Sequence, residues 1–204
     1  MKKIVLSLAM ISLVSYAAFN ATMALFSDTE TSTGNTFTAG SLDLDVDGNN
    51  GTNTVKFTVS NMRPGNQPKG TYTLNNVGTL NGYLDLESIS VSNNENSCLE
   101  PESDDGDVTC NSPGPGEGEL QDVVNMRLFM DYGCDGWISV GDDVFYNGPT
   151  GSVAGSYDLD ELITAGGNTC MVALFDWWNT ADDNKAMGDD MTLDMTFELL
   201  QTAD

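Results

Sequence analysis

The clearest pattern in the chain is a series of short segments in which apolar and polar residues alternate. Such alternation has a period of two and is typical of a β-strand with one buried face. The longest example runs from residue 191 to residue 199, and every second residue in it is apolar. The same reasoning predicts further strands at residues 41–46, 54–60, 71–74, 83–91, 124–130, 144–146 and 170–175.

Two segments depart from simple alternation. The pattern slips near Ser88, and a β-bulge in that strand would explain the slip. Residues 157–163 place Leu159, Leu162 and Ile163 at the i, i+3 and i+4 spacing of one helical face, so a short helix is expected there, with Ser156 as its cap. About eight strands, long loops and one short helix predict an all-β, antiparallel β-sandwich, either a jelly roll or an Ig-like Greek key.

The N-terminus has the layout of an export signal. Met1–Lys3 is basic, residues 4–19 are mostly apolar, and small residues precede Ala24. The apolar run is shorter than the roughly 20 residues that span a bilayer. We therefore expect a signal peptide over residues 1–24, cleaved between Ala24 and Leu25, and no membrane span in the mature protein. Residues 25–40 would then form a Thr- and Ser-rich N-terminal segment ahead of a sandwich domain at residues 41–204.

The charge and composition narrow the range of functions. The 204-residue chain carries 31 acidic and 7 basic residues, a formal net charge of −24. This charge argues against a nucleic-acid partner or an anionic membrane surface. The chain contains no histidine, so a His-based zinc site or a Ser-His-Asp triad cannot be built. No catalytic residues are assigned, and no cofactor is expected apart from calcium.

The cysteines and one short motif fit a secreted protein. An even number of cysteines in a secreted chain predicts disulfides, and four cysteines allow three connectivities. We favour Cys98–Cys110, which closes an acidic loop, and Cys134–Cys170, which joins two distant segments. Asn50 begins an N-glycosylation motif within a predicted turn.

One loop has a spacing that suggests a structural calcium site. If Asp131 is the first of twelve positions, then Asp135, Ser139 and Asp142 fall at positions five, nine and twelve, and Gly136 falls at the tight turn. Position three lacks an oxygen-bearing side chain, and position twelve carries Asp instead of the longer Glu. The alternative is an acidic hairpin loop that binds no ion.

The remaining acidic clusters and the paired tryptophans have simpler interpretations. Residues 102–107, 182–183 and 189–190 are charge runs in polar loops, for which a solvated surface is expected in preference to catalytic carboxylates. Successive residues on a strand point to opposite faces. One of Trp177 and Trp178 should therefore be buried, in the core or in a subunit contact, in preference to both forming a ligand platform.

Most of the chain resembles the TasA/camelysin family, specifically at the N-terminus and more loosely through the loops. The residues that carry the resemblance are Phe26-Ser27-Asp28, Asn35-Thr36-Phe37 with Ala39-Gly40, Leu42-Asp43-Leu44, Pro64–Asn66 and Asn76–Gly78, followed by the loop at Asp131 and the late Cys and Trp-Trp segment. The resemblance implies processing by a SipW-type signal peptidase and a jelly-roll-like sandwich. For several members it also implies extracellular fibres built by donor-strand complementation.

The resemblance predicts a structural subunit of an extracellular pilus or biofilm-matrix fibre at the cell surface. Its partners would be copies of itself, with the signal peptidase acting during export. The predicted donor-strand residues are Leu25, Phe26, Thr29, Thr31, Thr33 and Phe37. The alternatives are a monomeric surface adhesin or ligand-binding module and a metal-dependent hydrolase. Camelysin is described as a surface metalloprotease, but that activity is not expected here because the chain has no histidine.

Overall fold

The computed structural model describes residues 2–23, 39–51, 54–59, 62–178 and 183–203. The chain divides into two compact units, Met1–Ala39 and Gly40–Asp204. The first unit contains helix α1 (Lys2–Met23). Within the described residues, no helix combines the length and the apolar character needed to cross a membrane. The predicted cleavage point at Ala24 and Leu25, and the predicted donor-strand residues Phe26, Thr29, Thr31, Thr33 and Phe37, lie outside the described residues.

The second unit is built from antiparallel strands, which confirms the predicted all-β fold class. In the described residues they are β1 (Leu44–Val46), β2 (Asn49–Asn50), β3 (Thr54–Val59), β4 (Lys69–Asn76), β5 (Gly82–Asn94), β6 (Val124–Met130), β7 (Asp143–Pro149), β8 (Tyr157–Ile163), β9 (Asn168–Trp177) and β10 (Asp190–Leu200). The strands predicted from alternation lie within one or a few residues of these bounds.

Two sheets form the sandwich. One sheet has the order β2-β1-β4-β9-β6-β7 and the other has the order β3-β10-β5-β8. The chain crosses between the sheets at most connections, as expected for a jelly-roll-like sandwich. β1 and β2 form a tight hairpin through Asp47 and Gly48, which have φ angles of 53° and 81°. Positive φ at both central residues is what a type I′ hairpin turn requires.

The longest pairing in the sandwich, between β5 and β10, contains the expected bulge. Thr196 pairs with Ser88, whereas Phe197 pairs with Leu86, so Glu87 is the extra residue on β5. The bulge near Ser88 is therefore confirmed. It lets the apolar residues on both sides of Glu87 stay on the inner face although the sequence alternation slips by one residue.

The helix predicted at residues 157–163 is wrong, because this segment is the edge strand β8. Its side chains alternate between half-buried and exposed, and Tyr83 pairs with Leu162 across to β5. The carboxylate of Asp85 accepts hydrogen bonds from the backbone N–H groups of Leu159 and Asp160. The sequence YDLDELI satisfies both the helical and the strand period, because it is only seven residues long. Pairing with the open edge of β5 stabilises the strand.

The core lies between the two sheets. It includes fully buried residues from both layers, such as Leu74 and Met126 in one sheet and Leu86 and Leu193 in the other. A smaller buried cluster of Phe129, Val172 and Leu174 lies apart from it. The prediction for the paired tryptophans is confirmed, since Trp177 is 3% exposed and Trp178 is 65% exposed.

Candidate metal centre

The connection from β5 to β6 carries most of the site. It contains helix α2 (Glu100–Asp104), a 3-10 turn at Thr109–Asn111 and helix α3 (Leu120–Val123). A disulfide joins Cys98 to Cys110 and closes the loop around α2, as predicted. The closed loop has few conformations to lose, so the polar side chains within it are held at a low cost in entropy.

Five carboxylates from this connection and from the start of β10 are gathered in one place. Four of them are nearly inaccessible to solvent: Glu95 is 1% exposed, Glu102 0%, Asp107 8% and Asp189 6%. Glu119 is half-buried. Ligand oxygens of Glu95, Glu102 and Asp189 lie within 4.8 Å of one another, and so do those of Glu95, Asp107 and Glu119. Glu95 is therefore shared by two overlapping groups, and the five residues are called the carboxylate cluster below.

Hydrogen bonds fix one side of each carboxylate except Glu95. Asp189 Oδ2 accepts from the backbone N–H groups of Glu119, at 2.6 Å, and Leu120, at 3.2 Å. Asp107 Oδ1 accepts from the backbone N–H of Thr109, at 2.9 Å. The Thr109 hydroxyl lies 2.8 Å from Asp107 Oδ1 and 3.1 Å from Glu119 Oε1.

Glu102 has a similar anchor within its own helix. Its Oε2 accepts from the backbone N–H of Leu99, so the side chain folds back over the start of α2. In turn the backbone N–H of Asp107 donates to the Glu102 carbonyl, at 3.0 Å. The orientation of Glu102 is therefore set by the backbone around it.

Six buried oxygens of the cluster have no hydrogen-bond partner among the described residues. They are both oxygens of Glu95, Oε1 of Glu102, Oδ2 of Asp107, Oε2 of Glu119 and Oδ1 of Asp189. An ionised carboxylate that is buried without a partner costs several kcal/mol. Such a cluster therefore needs either bound protons or a bound cation.

The pKa values also show that burial disfavours the ionised form of these carboxyl groups. Burial, followed by a side-chain hydrogen bond with Glu95 and then by the charges of Glu95 and Glu119, raises the pKa of Asp189 to about 8. Burial and the charge of Asp107 raise the pKa of Glu119 to about 7. Burial also raises the pKa of Glu102, although its hydrogen bond from Leu99 acts in the opposite direction. Without a cation, these carboxyl groups hold their protons well above the ordinary range.

The expectation of a solvated acidic surface was wrong for Glu102, Asp107 and Asp189. These residues occur in the charge runs at 102–107 and 189–190, but the fold turns Glu102 and Asp107 of the first run and Asp189 of the second inward. Glu95 and Glu119 lie outside those runs. No spacing rule joins residues 95 and 189 in the sequence, so no sequence signal marked the cluster.

The loop at Asp131 was the predicted calcium site, and the structure shows how its acids are used. Asp142 Oδ2 accepts from the backbone N–H of Ser139, at 2.7 Å, and Asp142 Oδ1 accepts from that of Tyr132, at 3.1 Å. These bonds lower the pKa of Asp142, chiefly the one from Ser139. Asp135 Oδ1 accepts from the Trp137 backbone, at 2.8 Å.

Asp131 is the buried member of that loop. It is 0% exposed, and its Oδ2 accepts from the backbone N–H of Gly136, at 2.6 Å. The Lys69 ammonium donates to the Gly136 carbonyl, also at 2.6 Å. The described residues do not bring three acidic ligand atoms of this loop within 4.8 Å of one another. Calcium at this loop stays a prediction.

The disulfide between Cys134 and Cys170 anchors the Asp131 loop to β9, as predicted. The backbone N–H of Asp131 donates to the Cys170 carbonyl, at 2.8 Å, which continues the β6–β9 pairing by one residue.

Asn50, the predicted glycosylation site, is exposed on β2, and its side-chain amide donates to Asp43. Glycosylation of Asn50 stays a prediction.

Among the described strands, each sheet ends at two strands with one free edge: β2 and β7 in one sheet, and β3 and β8 in the other. Among the described strands, β7 has a neighbour only on its β6 side, and β8 has a neighbour only on its β5 side. The two edges lie near each other, because Phe145 and Tyr146 on β7 both pack against Tyr157 on β8, with ring centroids 5.0 Å and 6.2 Å apart.

Comparison of the sequence with protein families identifies the class to which this disulfide-stabilised sandwich belongs. Residues 1–109 match the family described as camelysin metallo-endopeptidase, and this covers more than half of the chain. The chain therefore belongs to the camelysin family, as the TasA/camelysin resemblance predicted. No curated protein matches the chain.

The family description implies a catalytic metal, and the residues present do not fit the zinc site that is usual in metalloproteases. The chain has no histidine, and all four cysteines are engaged in disulfides. Catalytic zinc sites in proteases take histidine ligands together with one carboxylate. The carboxylate cluster offers only hard oxygen donors, which do not reproduce that ligand set.

Proposed function

We propose that this protein is a structural subunit of an extracellular filament, a pilus or a biofilm-matrix fibre, that assembles head to tail by donor-strand complementation. Family membership over residues 1–109 is the observation that carries the proposal, because it includes the whole N-terminal segment. In this arrangement, signal peptidase cleaves after Ala24 and frees residues 25–37. That segment of one subunit then adds a strand to the next.

The composition of the segment supports this role. Residues 31–38 carry no charge and are rich in Thr, and Leu25, Phe26 and Phe37 provide apolar side chains. In β-augmentation the main chain supplies the hydrogen bonds, and alternate side chains enter pockets on the acceptor. Because donor and acceptor surfaces differ, the contact repeats without closing and produces a filament.

Of the neighbouring edges at β7 and β8, the β7 edge is the better acceptor. β8 carries three acidic residues, Asp158, Asp160 and Glu161, whereas β7 has one acid, at its first position. The donor segment contains Asp28 and Glu30. Like charges facing each other across a strand pair are destabilising, so they disfavour pairing with β8. We therefore place the donor strand along Asp143–Pro149 of the neighbouring subunit.

A structural role is proposed in preference to the endopeptidase activity that the family description names. Without histidine the chain lacks the commonest general base and the ordinary zinc ligand. A monomeric adhesin or ligand-binding module is the second candidate, because exposed Trp137 and Trp178 offer aromatic contact surface.

Electron microscopy of edge variants tests the proposal. Lysine on an edge strand opposes the addition of another strand. Val144→Lys, on β7, should abolish filaments, and so should deletion of residues 25–37. Leu162→Lys, on β8, is the matched control and should leave filaments intact, since both replaced side chains are partly exposed. If the chain stays monomeric throughout, or if filaments survive the deletion, the proposal is wrong.

A further inference from the structure

We propose that the carboxylate cluster of Glu95, Glu102, Asp107, Glu119 and Asp189 is a structural binding site for calcium, separate from the loop at Asp131. The observation that carries the proposal is Glu95. Its side chain is 1% exposed, and no N–H or hydroxyl group of the described residues donates to either of its carboxylate oxygens. Glu95 belongs to both of the groups in which the ligand atoms converge.

The number and spacing of the oxygens fit calcium. Calcium in proteins takes six to eight oxygen ligands at about 2.3–2.6 Å, so ligands on opposite sides of the ion lie about 5 Å apart. The cluster presents six partner-free oxygens, and in each of its two three-residue groups one oxygen from each residue lies within 4.8 Å of the other two. Magnesium fits less well, because it needs a smaller octahedral shell and usually retains several waters.

The cluster is also held in advance of binding. Thr109, Leu99 and the backbone of Glu119 and Leu120 each fix one oxygen of a carboxylate, and the other oxygen of that carboxylate has no partner among the described residues. The disulfide between Cys98 and Cys110 restrains the loop that carries Glu102 and Asp107. An ion at this site would join the end of β5, the β5–β6 connection and the start of β10.

A calcium ion would provide the positive charge that the cluster lacks. Five carboxylates lie close together here, and four of them are nearly inaccessible to solvent, so their ionised forms repel one another. A divalent cation offsets that repulsion. Bound protons are the alternative, and they predict no response to calcium.

Calcium titration of the purified chain, with both disulfides intact and metals removed by EDTA, tests the proposal. Adding CaCl2 at about physiological ionic strength should raise the thermal midpoint and give saturable binding by calorimetry. The response to MgCl2 should be smaller. Absence of calcium binding, or an equal response to magnesium, would overturn the proposal.

Substitutions then locate the ion. Glu95→Gln removes one buried charge at nearly constant shape, so it should raise the midpoint in EDTA and weaken calcium binding by about tenfold or more. Glu119→Gln, at the half-buried rim, should weaken binding in the same direction and serves if Glu95→Gln does not fold. Glu100→Gln, an exposed acid on α2, is the matched control and should bind as the parent chain does.

Asp142→Asn separates the cluster from the loop at Asp131. Calcium binding should survive this substitution, because Asp142 belongs to the other loop. If Asp142→Asn abolishes binding while Glu95→Gln and Glu119→Gln leave it unchanged, the ion is at the loop and the proposal is wrong.

Discussion

The carboxylate of Asp189 accepts a hydrogen bond of 2.6 Å from the backbone N–H of Glu119, a residue 70 positions earlier in the chain. The same oxygen also accepts from Leu120. One side chain just before β10 therefore satisfies two N–H groups at the first turn of α3, where a helix has no internal acceptors. The contact ties the acidic β5–β6 connection to the sandwich.

Replacement of Asp189 by alanine should loosen that connection. The N–H groups of Glu119 and Leu120 lose their acceptor, so their hydrogen-exchange protection should fall while that of the β6 amides persists. Glu117→Ala, an exposed substitution in the same segment, is the control. Unchanged protection at residues 119 and 120 in Asp189→Ala would show that another group holds this turn.

Gly78 is required by a close approach of two backbone segments. A Cβ atom at this position would lie 2.4 Å from the Ser41 carbonyl oxygen and 2.8 Å from the Asp43 nitrogen. Gly78→Ala should therefore lower the free energy of unfolding by about 1–3 kcal/mol, because the backbones must separate. Urea denaturation measures the loss. Gly114→Ala, where an added Cβ meets nothing within 4 Å, should change stability much less, and equal losses would contradict the explanation.

Tyr72 is expected to make stability depend on alkaline pH. Its hydroxyl is buried without a hydrogen-bond partner among the described residues, and burial raises the pKa of the phenol to about 12. In the unfolded chain the phenol ionises near pH 10. Its preference for the neutral form in the folded chain therefore leaves stability unaffected below about pH 10 and lowers stability as the pH rises toward 12.

Tyr72→Phe removes this ionisation. The variant should therefore lose less stability than the parent chain between pH 9 and 11, and at pH 7 it should be as stable or more stable, since an unpaired buried hydroxyl is removed. Urea midpoints at each pH test this. An identical pH dependence in both proteins would contradict the assignment.

The two disulfides should contribute unequally. They close loops with sequence separations of 12 and 36 residues. Loop-closure entropy predicts losses of about 3 kcal/mol without Cys98–Cys110 and about 4 kcal/mol without Cys134–Cys170. Double-alanine variants, compared by denaturation under non-reducing conditions, measure both losses. A larger loss for the shorter loop would show that the entropy of the unfolded chain does not set the order.

The sequence predicted the sandwich well where burial enforces alternation. Residues 191–199 lie in β10, whose inner side chains from Met191 to Phe197 are at most 3% exposed, so their period survives in the sequence. The helix prediction for residues 157–163 failed because this segment is an edge strand with one weakly buried face. There, seven residues satisfy the helical and the strand period together.

The carboxylate cluster was not predictable for a different reason. Its members come from the connection after β5 and from the residue before β10, so only the folded topology brings Glu95 and Asp189 together. The disulfide between Cys98 and Cys110 was predictable, because its partners are close in sequence and enclose one loop.

A density map of the assembled filament tests the central proposal most directly. We predict continuous density for residues 25–37 of one subunit, paired with strand Asp143–Pro149 of the next. The Thr-rich part should be extended, and Phe37 should be in contact with the neighbouring subunit. Density that places residues 25–37 against their own sandwich, or against a strand other than Asp143–Pro149, would contradict it.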